Sequence, residues 1–155
     1  MAIRIIKEVS RDGGRLPATG ATIIAGQPIE LVTASTVRPF TDVSGTYPLG
    51  LASDSNVLQP LAGPGGLTVG VGFDYTNFNR GGLIGAFLNG GVFELYDDST
   101  GLPFLPGDVY VLNGPVYANS SGLVTSTSTS NVLIGTVMQV TGSPVTRLQI
   151  KLTQI

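Results

Sequence analysis

Apolar residues along this chain come in short runs that are interrupted every few residues. The interruptions are mostly glycine and proline, of which the chain contains 22 and 10. No eleven-residue window carries the i, i+3, i+4, i+7 spacing of an amphipathic helix, whereas several short runs alternate between apolar and polar residues. The pattern therefore predicts a mainly-β chain with many turns and little helix.

The clearest alternation lies at residues 147–153. Leu148, Ile150 and Leu152 fall on one side of an extended chain, and the intervening residues are polar. This is typical of a strand with one buried face and one solvent-facing face. A weaker alternation at residues 29–33 predicts a strand with Ile29 and Leu31 on one face and Glu30 and Val32 on the other.

Asn-Gly pairs mark two predicted turns. Asn89-Gly90-Gly91 separates the apolar runs Leu83–Leu88 and Val92–Tyr96, which is a strong hairpin signal because the turn needs positive φ. Asn113-Gly114 separates "DVYVL" from "PVYAN" in the same way. The Ser/Thr tract Ser120–Asn131 is compatible with either a long loop or a solvent-facing strand.

One phrase occurs twice. "AGQPIELV" at residues 25–32 and "PGDVYVLN" at residues 106–113 both read small residue or proline, glycine, polar residue and then alternating apolar residues. Each is followed by a polar stretch and by an apolar phrase with a central glycine, "PLGLA" and "VLIGTV". The repetition predicts two similar halves of the fold, or two similar corners of one barrel.

Composition adds a constraint on partners. The 155 residues fit one domain, and only 12% are charged, about half the usual fraction. A surface made of Ser, Thr, Asn, Gly and backbone suits lasting contact with a neighbouring protein. The net charge of −2 gives no basic patch, so we expect no nucleic-acid partner.

The N-terminal sequence "MAIRIIKEVSRDGGR" has charges spread through it and lacks the apolar core of a signal peptide. No apolar run is long enough to span a bilayer. We therefore expect no membrane partner and synthesis in a cytoplasm.

The residue types needed for common catalytic sites are missing. The chain has no histidine and no cysteine, which excludes Ser/His/Asp and Cys/His sites and the usual zinc sites. The neighbouring Asp97 and Asp98 point in opposite directions on an extended chain and precede a turn composition. A solvated turn is the simplest interpretation, with a calcium site or carboxylate pair as the alternative. The glycine-rich stretches match neither the phosphate loop nor the dinucleotide fingerprint. We expect no enzymatic activity, no cofactor and no metal.

The segment "FDYTNFNRGG" at residues 73–82 combines three aromatic residues with two asparagines and a single arginine. A flat aromatic and amide surface can bind sugar rings or a protein neighbour. The alternative is that two of the aromatics enter the core and leave a polar loop.

Taken in order, "AGQPIEL", "DYTNFNRGGLIGAFLNGGVFELYDD", "LPGDVYVLNGPVYANSSG" and "GTVMQVTGSPVTRLQIKL" resemble the capsid decoration (cement) proteins of tailed bacteriophages. The resemblance spans about Ile23 to Leu152 and rests on the order and spacing of β phrases. It implies a single small domain, a β-barrel or β-tulip-like body at residues 23–155, with an extended N-terminal arm at residues 1–22.

The resemblance also implies a structural role. Such a protein binds the outer surface of the phage head, sits as a homo-trimer at threefold positions, and bridges neighbouring major capsid proteins. We expect the N-terminal arm to add a strand to a capsid-protein edge. The candidate capsid-interface residues are Ile3, Ile5 and Ile6 on the arm and Phe78, Asn79 and Arg80 in the aromatic segment.

Two other functions share parts of this profile. A tail-fibre or carbohydrate- or receptor-binding β-module would also be charge-poor and rich in Tyr and Asn. A glycosidase could gather two of the carboxylates that are isolated in sequence, although no residue pattern points to one.

Overall fold

The computed structural model of the chain describes residues 3–7, 15–17, 22–33, 36–42, 46–53, 55, 83–87, 90–97 and 101–153. These residues form eleven β-strands. The strands are β1 Ile3–Lys7, β2 Arg15–Pro17, β3 Pro28–Thr33, β4 Thr36–Pro39, β5 Gly50–Ala52, β6 Leu83–Phe87, β7 Val92–Tyr96, β8 Pro115–Ala118, β9 Val124–Thr125, β10 Val132–Thr141 and β11 Arg147–Leu152.

The strands are arranged in two sheets. A six-stranded sheet has the order β1-β7-β11-β10-β8-β9, and a five-stranded sheet has the order β2-β6-β5-β3-β4. All ladders between these strands are antiparallel. The backbones of β2 and β4, at opposite ends of the five-stranded sheet, approach each other. The prediction of a mainly-β single domain is confirmed. No helix in the described ranges has the length and hydropathy to cross a membrane.

The main core lies against the six-stranded sheet and includes side chains from both sheets. Phe93, Leu148 and Ile150 are fully buried there, and Phe40 and Leu51 join them from the segments around the five-stranded sheet. A second, smaller cluster packs on the five-stranded sheet and consists of Ile23, Ile29, Val37, Ala52 and Ala86. The main cluster therefore joins the two sheets, and the smaller cluster is a separate apolar region on the five-stranded sheet.

The alternation predicted for the last strand is confirmed. Leu148, Ile150 and Leu152 of β11 are at most 1% exposed, while Arg147 and Lys151 are exposed. β11 lies between β7 and β10, so its apolar side chains occupy the centre of the sheet. The two-residue repeat of apolar side chains in the sequence therefore correctly predicts which face of β11 is buried.

The hairpin predicted at Asn89-Gly90-Gly91 is wrong. Gly90 has the expected positive φ of 77°, but the flanking strands do not pair. β6 pairs with β2 and β5, whereas β7 pairs with β1 and β11. The chain therefore passes from one sheet to the other between β6 and β7. The local sequence specifies the left-handed residue, while the wider sheets decide which strands become neighbours.

The repeated phrase corresponds to two similar turns. The Gln27 N–H donates to Ile24 O at 3.1 Å, and the Asp108 N–H donates to Leu105 O at 3.3 Å. Beyond the turns the two copies diverge. The first continues into β3, but residues 109–112 form no strand. The repetition therefore encodes a repeated turn and not a repeated strand.

The strand predicted at residues 29–33 is present as β3, but its burial does not follow the alternation of faces. Its first three residues, including Glu30, are buried, and its last three, including Leu31 and Val32, are exposed. The pairing with β4 is irregular between Leu31 and Thr33. Because the strand runs out of the body at that point, its burial follows position along the strand and not side-chain alternation.

The Ser/Thr tract is mostly a loop. β8 and β9 are joined by a turn in which Asn119 Oδ1 accepts hydrogen bonds from the N–H groups of Ser121 and Leu123, at 2.9 and 3.0 Å. Val124 and Thr125 are buried in β9. Residues 127–130 are exposed and lead into β10.

Candidate interaction surface

The N-terminal candidates lie on β1, which pairs with β7 of the same chain. Ile3 stands opposite Leu95 and Ile5 opposite Phe93, and Ile6 lies where the register shifts. The Ile3 side chain is 1% exposed and belongs to the main core. It therefore packs inside the body here and is not presented to a partner.

β1 and β2 occupy end positions in the two described sheets, β1 in the six-stranded sheet and β2 in the five-stranded sheet. The N-terminal segment thus supplies one edge strand to each sheet. At the other end of the six-stranded sheet, the outer edge of β9 is covered because Phe104 forms a parallel bridge with Val124. Phe78, Asn79 and Arg80 lie outside the described residues.

One carboxylate is buried. Glu30 is 1% exposed, and its Oε1 accepts hydrogen bonds from Arg38 Nε at 2.6 Å and from Thr41 Oγ1 at 2.7 Å. Burial alone would raise the pKa of Glu30, but the hydrogen bonds from Thr41, Arg38 and Thr46 together with the charge of Arg38 outweigh burial and lower it. Glu30 thus holds the β3–β4 pair together as an ionised, bonded group.

Two other carboxylates, those of Glu94 and Asp97, interact with groups of the same chain. Glu94 on β7 lies 3.5 Å from the guanidinium of Arg147 on β11, and this guanidinium also lies over the Tyr96 ring. Asp97 Oδ1 accepts a hydrogen bond from the Gly101 N–H at 3.0 Å, as expected for a turn. Asp98 is outside the described residues. Within the described ranges, no three Asp or Glu residues are grouped so that they could hold a metal ion.

The most unusual surface feature is the segment Val109–Leu112, which we name the 109–112 loop. Val109 is 79% exposed, Val111 64% and Leu112 61%. Isolated exposed apolar side chains are common on protein surfaces, but three within four residues form a patch of the kind found at interaction sites.

The 109–112 loop is anchored by its remaining residue. Tyr110 is only 8% exposed and packs edge-on against Phe104, with ring centroids 6.2 Å apart. Its hydroxyl lies 2.9 Å from Leu105 O and 3.1 Å from Val124 O, so its one proton is shared between these two carbonyl acceptors. Burial, followed by the nearby charge of Asp108, raises the pKa of Tyr110 well above its usual range.

Both ends of the loop are also fixed by hydrogen bonds. Before it, Asp108 Oδ2 accepts hydrogen bonds from Thr125 Oγ1 and, at 2.9 Å, from the Ser126 N–H. After it, Asn113 adopts a positive φ of 61°, and its N–H donates to Val137 O at 2.9 Å. The three exposed side chains are therefore displayed from a backbone that is held in place.

The segment of chain that contains and follows the loop is uncharged. The sequence contains no Asp, Glu, Lys or Arg between Asp108 and Arg147. Two large apolar side chains of β10, Leu133 and Met138, are 50% and 40% exposed. Leu133 stands opposite Tyr117 of β8 in the same sheet.

The sequence prediction missed this surface because "DVYVL" has the alternation of a half-buried strand. The absence of charge from residues 109–146 was the available signal.

Comparisons with known proteins bear on the fold. No family model matches the chain, and no curated protein matches it. Among solved structures, a chain from "The capsid of Myoviridae Phage XM1" is similar, with a TM-score of 0.59 and 14% sequence identity. The match covers 97% of this chain and 88% of that one. The chain therefore shares its fold, over nearly its whole length, with a chain of a phage capsid.

Proposed function

We propose that this protein is a structural component of a phage head, a decoration protein that binds the outer surface of the shell. The observation that carries the proposal is the fold likeness over 97% of the chain to a chain from the capsid of phage XM1. The sequence resemblance to phage decoration proteins supports it independently. A structural, non-enzymatic role also fits a chain without histidine or cysteine.

In this role the protein bridges neighbouring major capsid proteins as a homo-trimer at threefold positions. Many weak contacts repeated over a lattice give tight retention, because each bound contact raises the effective concentration for the next. The copy number of the chain in purified particles, relative to the major shell protein, tests the proposal. A ratio of one or a simple fraction of one is expected. A few copies per particle would instead favour a tail-fibre or receptor-binding module, and absence from particles would contradict both.

The N-terminal segment, residues 1–22, is proposed as one contact with the shell. β1 ends the described six-stranded sheet while its inner edge pairs with β7, so a partner strand can add to its outer edge without β1 leaving the body. Proline at an edge position whose N–H faces outward prevents such pairing but spares the internal ladder.

Because N–H directions alternate along a strand, Arg4→Pro and Ile5→Pro form a matched pair. One of the two should keep the fold and lose head binding, and the other should disturb the β1–β7 ladder. Retained head binding in the variant that folds normally would contradict strand addition at β1.

Phe78, Asn79 and Arg80 are proposed as a second contact, in which Arg80 pairs with a carboxylate or carbonyl of a neighbour. The double variant Phe78→Ala/Arg80→Ala should loosen attachment to heads while the body stays folded. If this variant only unfolds the isolated protein, the aromatic segment belongs to the core.

A further inference from the structure

We propose that the 109–112 loop is an apolar docking element that inserts Val111 and Leu112 into an uncharged, apolar recess on a shell subunit. This inference rests on the proposed function and deepens it by naming a contact surface and the chemistry of its partner.

The first argument is preorganisation. Tyr110 is buried and bonded between Val109 and Val111, and the turn after Leu112 is closed by the Gly114 N–H donating to Val111 O at 2.8 Å. A loop that is already ordered loses little conformational entropy when a partner covers it. Exposed apolar side chains on such a loop can therefore contribute most of their burial energy to binding.

The second argument concerns charge. Between Asp108 and Arg147 no charged residue occurs, and the Asp108 carboxylate is turned toward Thr125 and Ser126. A charged partner group placed against Val111 and Leu112 would lose its hydration without gaining an ion pair from this segment. The surface that fits the loop is therefore apolar and uncharged, and binding to it is not weakened by screening of charges.

The third argument distinguishes a shell subunit from a second copy of this chain. A stable dimer buries about 800 Å² on each partner, contributed by roughly 20–30 residues. A loop with three large exposed apolar side chains is too small for that role alone. It is sufficient as one contact among many on a repeating lattice, where the other contacts raise its effective concentration.

The test uses purified heads that lack this chain and measures binding of the added protein by co-sedimentation. The variant is Val111→Ser/Leu112→Ser, and the control is Tyr47→Ser, which changes a side chain that is 70% exposed and lies before β5. Because all three side chains are exposed, the thermal unfolding midpoints should stay within about 2 °C of the parent. The double variant should bind about a hundredfold more weakly per site, roughly tenfold for each side chain, and the control should bind normally.

The possible outcomes separate the two proposals. If the parent protein does not bind heads, the proposed function fails and this inference fails with it. If the parent binds and the double variant binds equally well, or if Tyr47→Ser is just as weak, only the inference fails. If the difference in binding between the parent and the double variant disappeared between about 0.05 and 0.5 M salt, charges would carry the loop contact and the inference would be overturned. Self-association of the parent that the double variant abolishes, with head binding unchanged, would assign the loop to a second copy.

Discussion

Replacing Gly26 by alanine should destabilise the protein, whereas the same change at Gly107, in the second copy of the repeated phrase, should not. Gly26 has φ +93°, and a methyl group there would lie 3.0 Å from Leu95 Cδ2 and 3.1 Å from Pro103 Cγ. Both neighbours are buried and have little room to move. Gly107 lacks a left-handed φ, and a methyl group on it would meet nothing within 4 Å.

The magnitude follows from three contributions. A left-handed conformation costs an alanine about 1–2 kcal/mol, and overpacking a filled core costs about 1–3 kcal/mol. The smaller conformational freedom of alanine in the unfolded chain offsets about 0.4–1 kcal/mol of this. We therefore expect Gly26→Ala to lower the free energy of unfolding by about 2–4 kcal/mol. For Gly107→Ala only the last contribution remains, so its stability should be unchanged or slightly higher.

Thermal and urea unfolding followed by far-UV circular dichroism measure the difference, with tyrosine fluorescence as a second probe because the chain has no tryptophan. For a domain of this length, about 2–4 kcal/mol corresponds to a fall in Tm of about 5–15 °C. Equal unfolding midpoints for the two variants would refute the reasoning, since it depends on the different backbone and packing of two glycines in similar sequence phrases.

Four other substitutions test separate parts of the structure. Glu30→Gln should lower the free energy of unfolding by about 2 kcal/mol at pH 7. Since the folded-state pKa of Glu30 is lowered, this contribution is present above the unfolded-state pKa and disappears as the pH falls through the folded-state pKa. The unfolding free energies of parent and variant, measured by urea titration, should therefore converge in acid. The partner of Glu94, Arg147, is 53% exposed, so Glu94→Gln should change the free energy of unfolding by less than about 1 kcal/mol. An equal effect of Glu30→Gln and Glu94→Gln would contradict the assignment of Glu30 as the buried partner of an ion pair. Because the pKa of Tyr110 is raised, Tyr110→Phe should remove a late-ionising component from an alkaline absorbance titration and lower the free energy of unfolding by about 1 kcal/mol. An unchanged titration curve would show that Tyr110 is not protected. Ile3→Ala should cost about 2–5 kcal/mol in urea unfolding, and a negligible loss would show that β1 does not contribute to the core.

The sequence was sufficient to predict the fold class and the last strand. In β11 the apolar residues alternate strictly, and one buried face is all that such a pattern requires. The Asn-Gly turn at residues 89–91 shows the limit of the same reasoning. Positive φ at Gly90 is a local property, but the partners of β6 and β7 depend on strands that are distant in sequence.

The candidate surface was harder to predict, for a similar reason. Residues 109–112 alternate like a strand, yet the hydroxyl of Tyr110 bonds to Leu105 and Val124 and turns the segment into a loop. Only one of its four residues faces the core. The carbonyl groups that hold the Tyr110 hydroxyl belong to two other segments. The pattern of residues 109–112 alone therefore does not predict that Val109, Val111 and Leu112 are exposed.

The position of β11 has a consequence for biosynthesis. β1 and β7 form one pair of neighbours, β10, β8 and β9 form another group, and β11 alone joins the two groups into a sheet. While a ribosome adds the residues from β7 to β11 at roughly 5–20 per second, the inner edge of β7 waits about 3–10 s for its partner. A nascent chain that stops before residue 147 therefore leaves unpaired edges on both β7 and β10, which are templates for aggregation. The six-stranded sheet is therefore completed only after residues 147–152 have been synthesised.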